Sequence, residues 1–190
     1  MRNAFFTSDT HYGHEAILKH CSRPFATVQE MDEALVENHN RVVREGDTVW
    51  HLGDFGLGKG DHARRILGQL RGHKHLIVGN HDDKGVLKAG WESVQEYKEI
   101  YAGDNRHIAL FHYPILSWRG AWRRTYHLHG HSHGAVPIDP HFKRWDAGVD
   151  PQGYFPVSLE EVLEYFSMLE DNGAGPAVDH HDPRYKGGME

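Results

Sequence analysis

The chain has 190 residues, enough for one well-cored domain and crowded for two. A hydrophobic share of 38% with 11% aromatics excludes a disordered polymer, and no run approaches the roughly 20 apolar residues of a spanning helix. The formal charge of -6 excludes a general attraction to nucleic acid or to an anionic membrane, so any contact with a polyanion has to be local.

In chain order, Ala4-Phe5-Phe6-Thr7 reads as a short buried strand ending at Asp9, and a short helix is predicted from about His14 to His20 before Arg23-Pro24-Phe25 breaks it. Thr27 and Glu30 form a capping box, and Val28, Met31, Leu35 and Val42 recur at helical spacing, which predicts an amphipathic helix over 28–44. Thr48 to Leu52 is a strand stopping at Gly53-Asp54. Asp61 is expected to cap a helix whose Ala63, Ile66, Leu67 and Leu70 share a face, and His75 to Val78 is a strand stopping at Gly79-Asn80. Strand, helix, strand implies a parallel pair with a right-handed crossover, which brings Asp54 and Asn80 to one sheet edge. A parallel first strand adds Asp9 and His11 to that edge, where open α/β sheets build ligand crevices. The second half offers strands at 94–101, 106–111, 125–129 and 143–149, short and closely spaced, for which antiparallel pairing is expected. Ser158 and Glu161 form a second capping box. Residues 171–190 carry Gly, Pro and charge without a period and read as a flexible tail after a single domain over 1–170.

Five polar clusters stand where these strands end: Asp9-Thr-His11, Gly53-Asp54, Gly79-Asn80-His81-Asp82, His112, and Gly130-His131-Ser-His133. Taken singly, Gly-Asp and Gly-Asn-His-Asp also make good turns. His131 and His133 are stronger, because imidazoles two residues apart on extended backbone point to one side. Together the clusters supply carboxylates, an amide oxygen and imidazoles without a thiolate. That inventory suits two transition-metal ions in an open catalytic site. Histidine is over-represented at 18 residues, so most serve ordinary roles; His127 and His129 are not assigned to metal, and His180 and His181 are read as incidental. The lone Cys21 cannot form an internal disulfide, and the N-terminus enters a polar motif too soon for a signal peptide, so a cytoplasmic protein is expected.

The ordered motifs resemble those of the calcineurin-like metallophosphoesterases, over about Phe6 to Val149. The start Ser8-Asp9-Thr10-His11-Tyr12-Gly13-His14, with Arg-Pro-Phe at 23–25 and Leu-Gly-Asp-Phe at 52–55, is most similar to small bacterial and phage members. The resemblance implies a four-layer α/β sandwich, two mixed sheets face to face with helices outside. It further implies that Asp9, His11 and His133 hold one metal and Asn80, His112 and His131 a second, with Asp54 bridging them. A hydroxide between the metals then attacks phosphorus in line. His81 is expected to protonate the leaving oxygen, with Asp82 orienting its ring. His14 is a candidate for substrate contact, against the alternative of a surface histidine. Two divalent ions are implied, manganese first, with Fe, Zn, Ni or Co as alternatives.

Lys59 is the only cation near Gly53-Asp54, where the family's protein phosphatases carry an arginine, so a protein substrate is disfavoured. The expected activity is hydrolysis of phosphodiesters or small phosphomonoesters such as nucleotides. A non-catalytic metal-binding scaffold and a nuclease on structured nucleic acid are the alternatives; the acidic balance speaks against the nuclease, and no membrane partner is expected. Ser117-Trp118-Arg119-Gly-Ala-Trp122-Arg123-Arg124 either stacks a base or packs its tryptophans inward, and the inward reading is favoured.

Overall fold

The computed structural model describes residues 3–57, 60–121, 123–138 and 142–171. Two mixed sheets pack face to face with flanking helices. In the first, β1 (Ala4–Thr7), β2 (Thr48–His51), β3 (His73–Ile77) and β4 (Ser93–Gln95) run parallel and β9 (Val157–Ser158) pairs antiparallel with β1, in the order β4-β3-β2-β1-β9. In the second, β5 (Tyr97–Gly103), β6 (Arg106–Phe111), β7 (Thr125–His129) and β8 (Arg144–Asp146) lie in sequence order.

Alternation along the strands sends Phe6, Trp50 and Ile77 from one sheet, and Ile108, Leu110, Tyr126 and Leu128 from the other, into a shared core. Burying each such side chain contributes about 1.5–3 kcal/mol, which makes this layer the main support of both sheets. The opposite face of the first sheet is covered by α2 (Val28–Val42) and α3 (Gly60–Leu67), through Met31, Leu35, Ile66 and Leu67. Thr27 Oγ1 accepts the N–H of Glu30 at 3.1 Å and starts α2 as its capping box predicts. The second box is reciprocal: Ser158 donates its N–H to Glu161, and Glu161 donates its own back to Ser158 Oγ. It launches α5 (Leu159–Asp171), whose Phe166 stacks flat on Tyr126 with ring centroids 4.3 Å apart.

Several expectations need correcting. The run 94–101 is two strands, β4 and β5, which change sheets at Glu96. Within the second sheet, among the described residues, only β5 and β6 pair antiparallel; β6, β7 and β8 are parallel. Parallel neighbours need a long crossover, and the 112–124 connection provides one by packing Trp118 and Ala121 over Ala109 on the outer face of the second sheet. The first short helix, α1, covers only Ile17–His20, and Asp61 lies within the first turn of α3, not before it. A further turn of helix, α4 (Lys84–Leu87), starts at Asp83, whose carboxylate accepts the N–H groups of Gly85 and Val86. Among the described residues, no helix is long and apolar enough to cross a membrane. Residues 172–190, with His180 and His181, lie outside those described, as do Lys59 and Trp122.

Candidate functional site

The carboxyl ends of β1, β2 and β3 point the same way, and backbone hydrogen bonds stitch the loops that follow them. Asp9 donates its N–H to Gly53 O at 3.0 Å, His11 to Asp54 O at 3.0 Å and Tyr12 to Phe55 O at 2.9 Å. The second sheet joins the same edge: Val149 donates to Ser8 O at 3.0 Å, and Gly130 to His112 O at 2.9 Å. All five motif loops therefore share one edge. Asp9, His11, Asp54, His131 and His133 have φ between 47° and 67°, so five of the seven candidate ligands sit in the left-handed region. Non-glycine residues rarely adopt it, at a cost of about 1–3 kcal/mol each, and Asp and His are among those that do. Gly53, at φ 99°, has no room for a side chain, because a Cβ there would meet His112 Nδ1 at 2.6 Å and Gly79 Cα at 2.7 Å.

Two groups of donor atoms result, each drawn together within 4.8 Å: Asp9, His11 and His133 form one, and Asp54, His112 and His131 the other. Asp54 stands between them. Its Oδ2 lies 3.7 Å from His11 Nε2 and 3.5 Å from His112 Nε2, while its Oδ1 accepts the His81 N–H at 2.8 Å. His112 Nδ1 donates to Leu52 O at 2.7 Å, which turns Nε2 toward the site, 3.0 Å from Asn80 Oδ1.

Burial shapes the charges. Asp9 is fully buried, and desolvation raises its carboxyl to about 7 against the opposing pull of His133 and His112. Burial also pushes Asp54 upward, but hydrogen bonds and charge from His112, with the His81 N–H, bring it down to about 2. Desolvation lowers His11 to about 3, so its ring is neutral. His11 Nε2 is buried without a hydrogen-bond partner, an expensive arrangement for a polar atom unless a cation takes its lone pair. The unpartnered nitrogen and the oxygen and imidazole donors fit divalent transition metals.

The layer behind these residues was not read from the sequence. Arg23 is buried and donates from Nε and Nη2 to both oxygens of Asp150, each at 2.8 Å, and from Nη2 and Nη1 to the carbonyls of Asp9 and Thr10. Asp150 in turn accepts Nδ1–H of His133 at 2.7 Å. Cys21 approaches His133 and Asp150 as well, but the guanidinium already occupies that carboxylate. His51 is a similar support: Thr10 gives its only hydroxyl proton to Phe55 O, so His51 Nε2–H must donate to Thr10, and Nδ1 accepts Gly53 N–H.

Asp82 requires a correction. Its carboxylate accepts backbone N–H groups from Gly79 at 2.8 Å, Asp54 at 3.0 Å and Phe55 at 2.8 Å, and makes no hydrogen bond to His81 among the described residues. Three amides at two facing loops outcompete an exposed imidazole for one half-buried carboxylate. His81 lies with its ring 5.4 Å from that of His11, and His14 belongs to the same group, its Nδ1 3.3 Å from His11 Nδ1. Trp118 is turned inward, donating Nε1–H to Thr125 O, and His127 is buried with both ring nitrogens facing carbonyl oxygens.

A family model of calcineurin-like phosphoesterases matches residues 3–187. An uncharacterized protein of Methanocaldococcus jannaschii is 34% identical over 86% of this chain and 91% of its own length. The gene 66 protein of Mycobacterium phage L5 is 30% identical over 90% of this chain and 97% of its own. The crystal structure of a protein of unknown function from Aquifex aeolicus superposes with a TM-score of 0.67 at 28% identity, covering 85% of this chain and 98% of that one.

Proposed function

This chain belongs to the calcineurin-like phosphoesterase family, and from that premise we propose that it hydrolyses phosphoester bonds of small or nucleotide-type substrates with two divalent cations. Asp9, His11 and His133 would hold one, and Asn80, His112 and His131 the other, with Asp54 shared. Manganese is the first candidate, and Fe, Zn, Ni or Co would suit the same donors. The observation that carries this reading is Asp54 Oδ2, within 3.7 Å of an imidazole nitrogen from each donor group.

When bound, such cations neutralise phosphate charge and make a water nucleophilic near neutral pH. The chain's own residues do the rest. The stitched loops hold the donors at fixed positions, so little reorganisation is needed when the substrate arrives. His81, exposed beside His11, is within the site to protonate a departing oxygen. If His11 presents Nε2 to a cation, its Nδ1 carries the proton and donates to His14 Nδ1. That fixes His14 as the Nε2–H tautomer, a neutral donor whose ring lies 6.3 Å from that of His81. Burial, followed by the neighbouring His81, lowers the His14 pKa, consistent with a neutral ring.

The test is turnover of aryl phosphate mono- and diesters by chelator-stripped protein reloaded with each ion. Activity should appear on reloading, and His81→Ala should lower it, by roughly 100-fold or more on esters of basic alcohols and by less on p-nitrophenyl esters. No turnover with any of the five metals would sink the proposal.

A further inference from the structure

The geometry points to Tyr113 as a platform for a planar ring, so that the favoured substrate is a phosphodiester whose retained substituent is a nucleoside. This rests on the phosphoesterase reading and specifies its substrate. Tyr113 follows His112 at the end of β6, and its ring centroid lies 4.7 Å from His131 and 4.9 Å from His112, both of the second donor group. It is 37% exposed although it borders the fully buried His112, and His131 on its other side is exposed as well. The rings of His112, His131 and Phe111 are inclined to it by 59° to 74°, so none of them stacks on it. Phe111, 5.6 Å away, and Tyr97, 6.4 Å beyond, extend an aromatic strip along the outer face of β5 and β6.

The position of the strip selects which part of a substrate it serves. His81, the candidate proton donor, groups with His11 and His14 beside the first donor set, so the departing oxygen belongs there. Tyr113 groups with the second set. In an in-line displacement the leaving group departs opposite the attacking water, and the retained substituent projects sideways. A ring on Tyr113 is therefore attached to the oxygen that stays on phosphorus. The strip suits one nucleoside better than a long strand, because the chain is acidic overall and Arg119, the cation beside the strip, is already paired with Glu99 at 3.2 Å. Base stacking is indifferent to base identity, so purines and pyrimidines should both be accepted.

Two esters with the same leaving group separate the cases: thymidine 5′-(p-nitrophenyl phosphate) and ethyl p-nitrophenyl phosphate, assayed on the manganese-loaded protein. The thymidyl ester should have the higher kcat/KM by about tenfold, the scale of one base stacked on one aromatic ring. Tyr113→Leu should erase that ratio and Tyr113→Phe should keep it. Calorimetric binding of thymidine monophosphate against ethyl phosphate should show the same dependence without turnover. An unchanged ratio in Tyr113→Leu, or an equal loss on both esters, would overturn the inference and make Tyr113 a support for His131. Should neither ester turn over while nucleotide binding still depends on Tyr113, the phosphoesterase reading fails and the platform stands.

Discussion

Nδ1 of His133 donates to Asp150 at 2.7 Å, and that carboxylate is itself clamped by Nε and Nη2 of the buried Arg23 guanidinium. The arrangement fixes the His133 tautomer, leaves Nε2 for the site, and ties the loop carrying His133 to the backbone of Asp9. Asp150→Asn should weaken cation affinity roughly 10- to 100-fold while the fold persists, as measured by metal titration alongside a thermal melt. Unchanged affinity would mean that His133 is held by its neighbours alone.

Asp82 and His81 should separate experimentally although they are adjacent. Asp82→Asn replaces a carboxylate that serves three backbone amides and should cost about 1–3 kcal/mol of stability, with turnover reduced alike for good and poor leaving groups. His81→Ala should leave the melting temperature nearly unchanged and slow esters of basic alcohols far more than p-nitrophenyl esters. The same leaving-group dependence in both variants would restore Asp82 to a role through the imidazole.

The convergence of the five motif loops was legible because each places turn-competent residues at a strand end, and Asp, Asn, Gly and His are good left-handed residues. The capping boxes at Thr27 and Ser158 were legible for the same local reason. What lies behind the ligands was not, since Asp150 is joined to His133 and Arg23 by packing, and no spacing announces it. Glu96 was hidden inside an apparently continuous strand because alternation survives a change of sheet. The parallel course of β6, β7 and β8 was missed because the 112–124 segment resembles a long hairpin loop until Trp118 is seen to cover Ala109.

Acid should destabilise the fold through a histidine outside the candidate site. Burial lowers His39 from 6.5 to about 4, and its Nε2 engages Arg71 O at 3.0 Å. The folded state keeps this ring neutral while the unfolded chain binds a proton, so its stability is fully present above pH 6.5 and lost as pH falls toward 4, by about 3 kcal/mol. Chelator-treated protein should show a melting temperature falling across that window, more steeply than His39→Gln. Parallel curves for the two proteins would refute the assignment.

Cation affinity should rise with pH for a separate reason. Burial lifts Asp9 to about 7 in the metal-free chain, so below that pH a cation must displace its proton. This group contributes about tenfold in apparent affinity per pH unit up to 7 and nothing above it. Manganese titrations between pH 5.5 and 8.5 should therefore bend near neutrality, and a flat profile below 7 would contradict the shift.

The sharing of Asp54 is tested most directly by electron paramagnetic resonance of chelator-stripped protein titrated with manganese. Two equivalents should bind and give the multiline spectrum of an exchange-coupled pair, and Asp54→Asn should abolish the coupling. An uncoupled six-line manganese signal at saturation, the same in the wild type and in Asp54→Asn, would contradict the account.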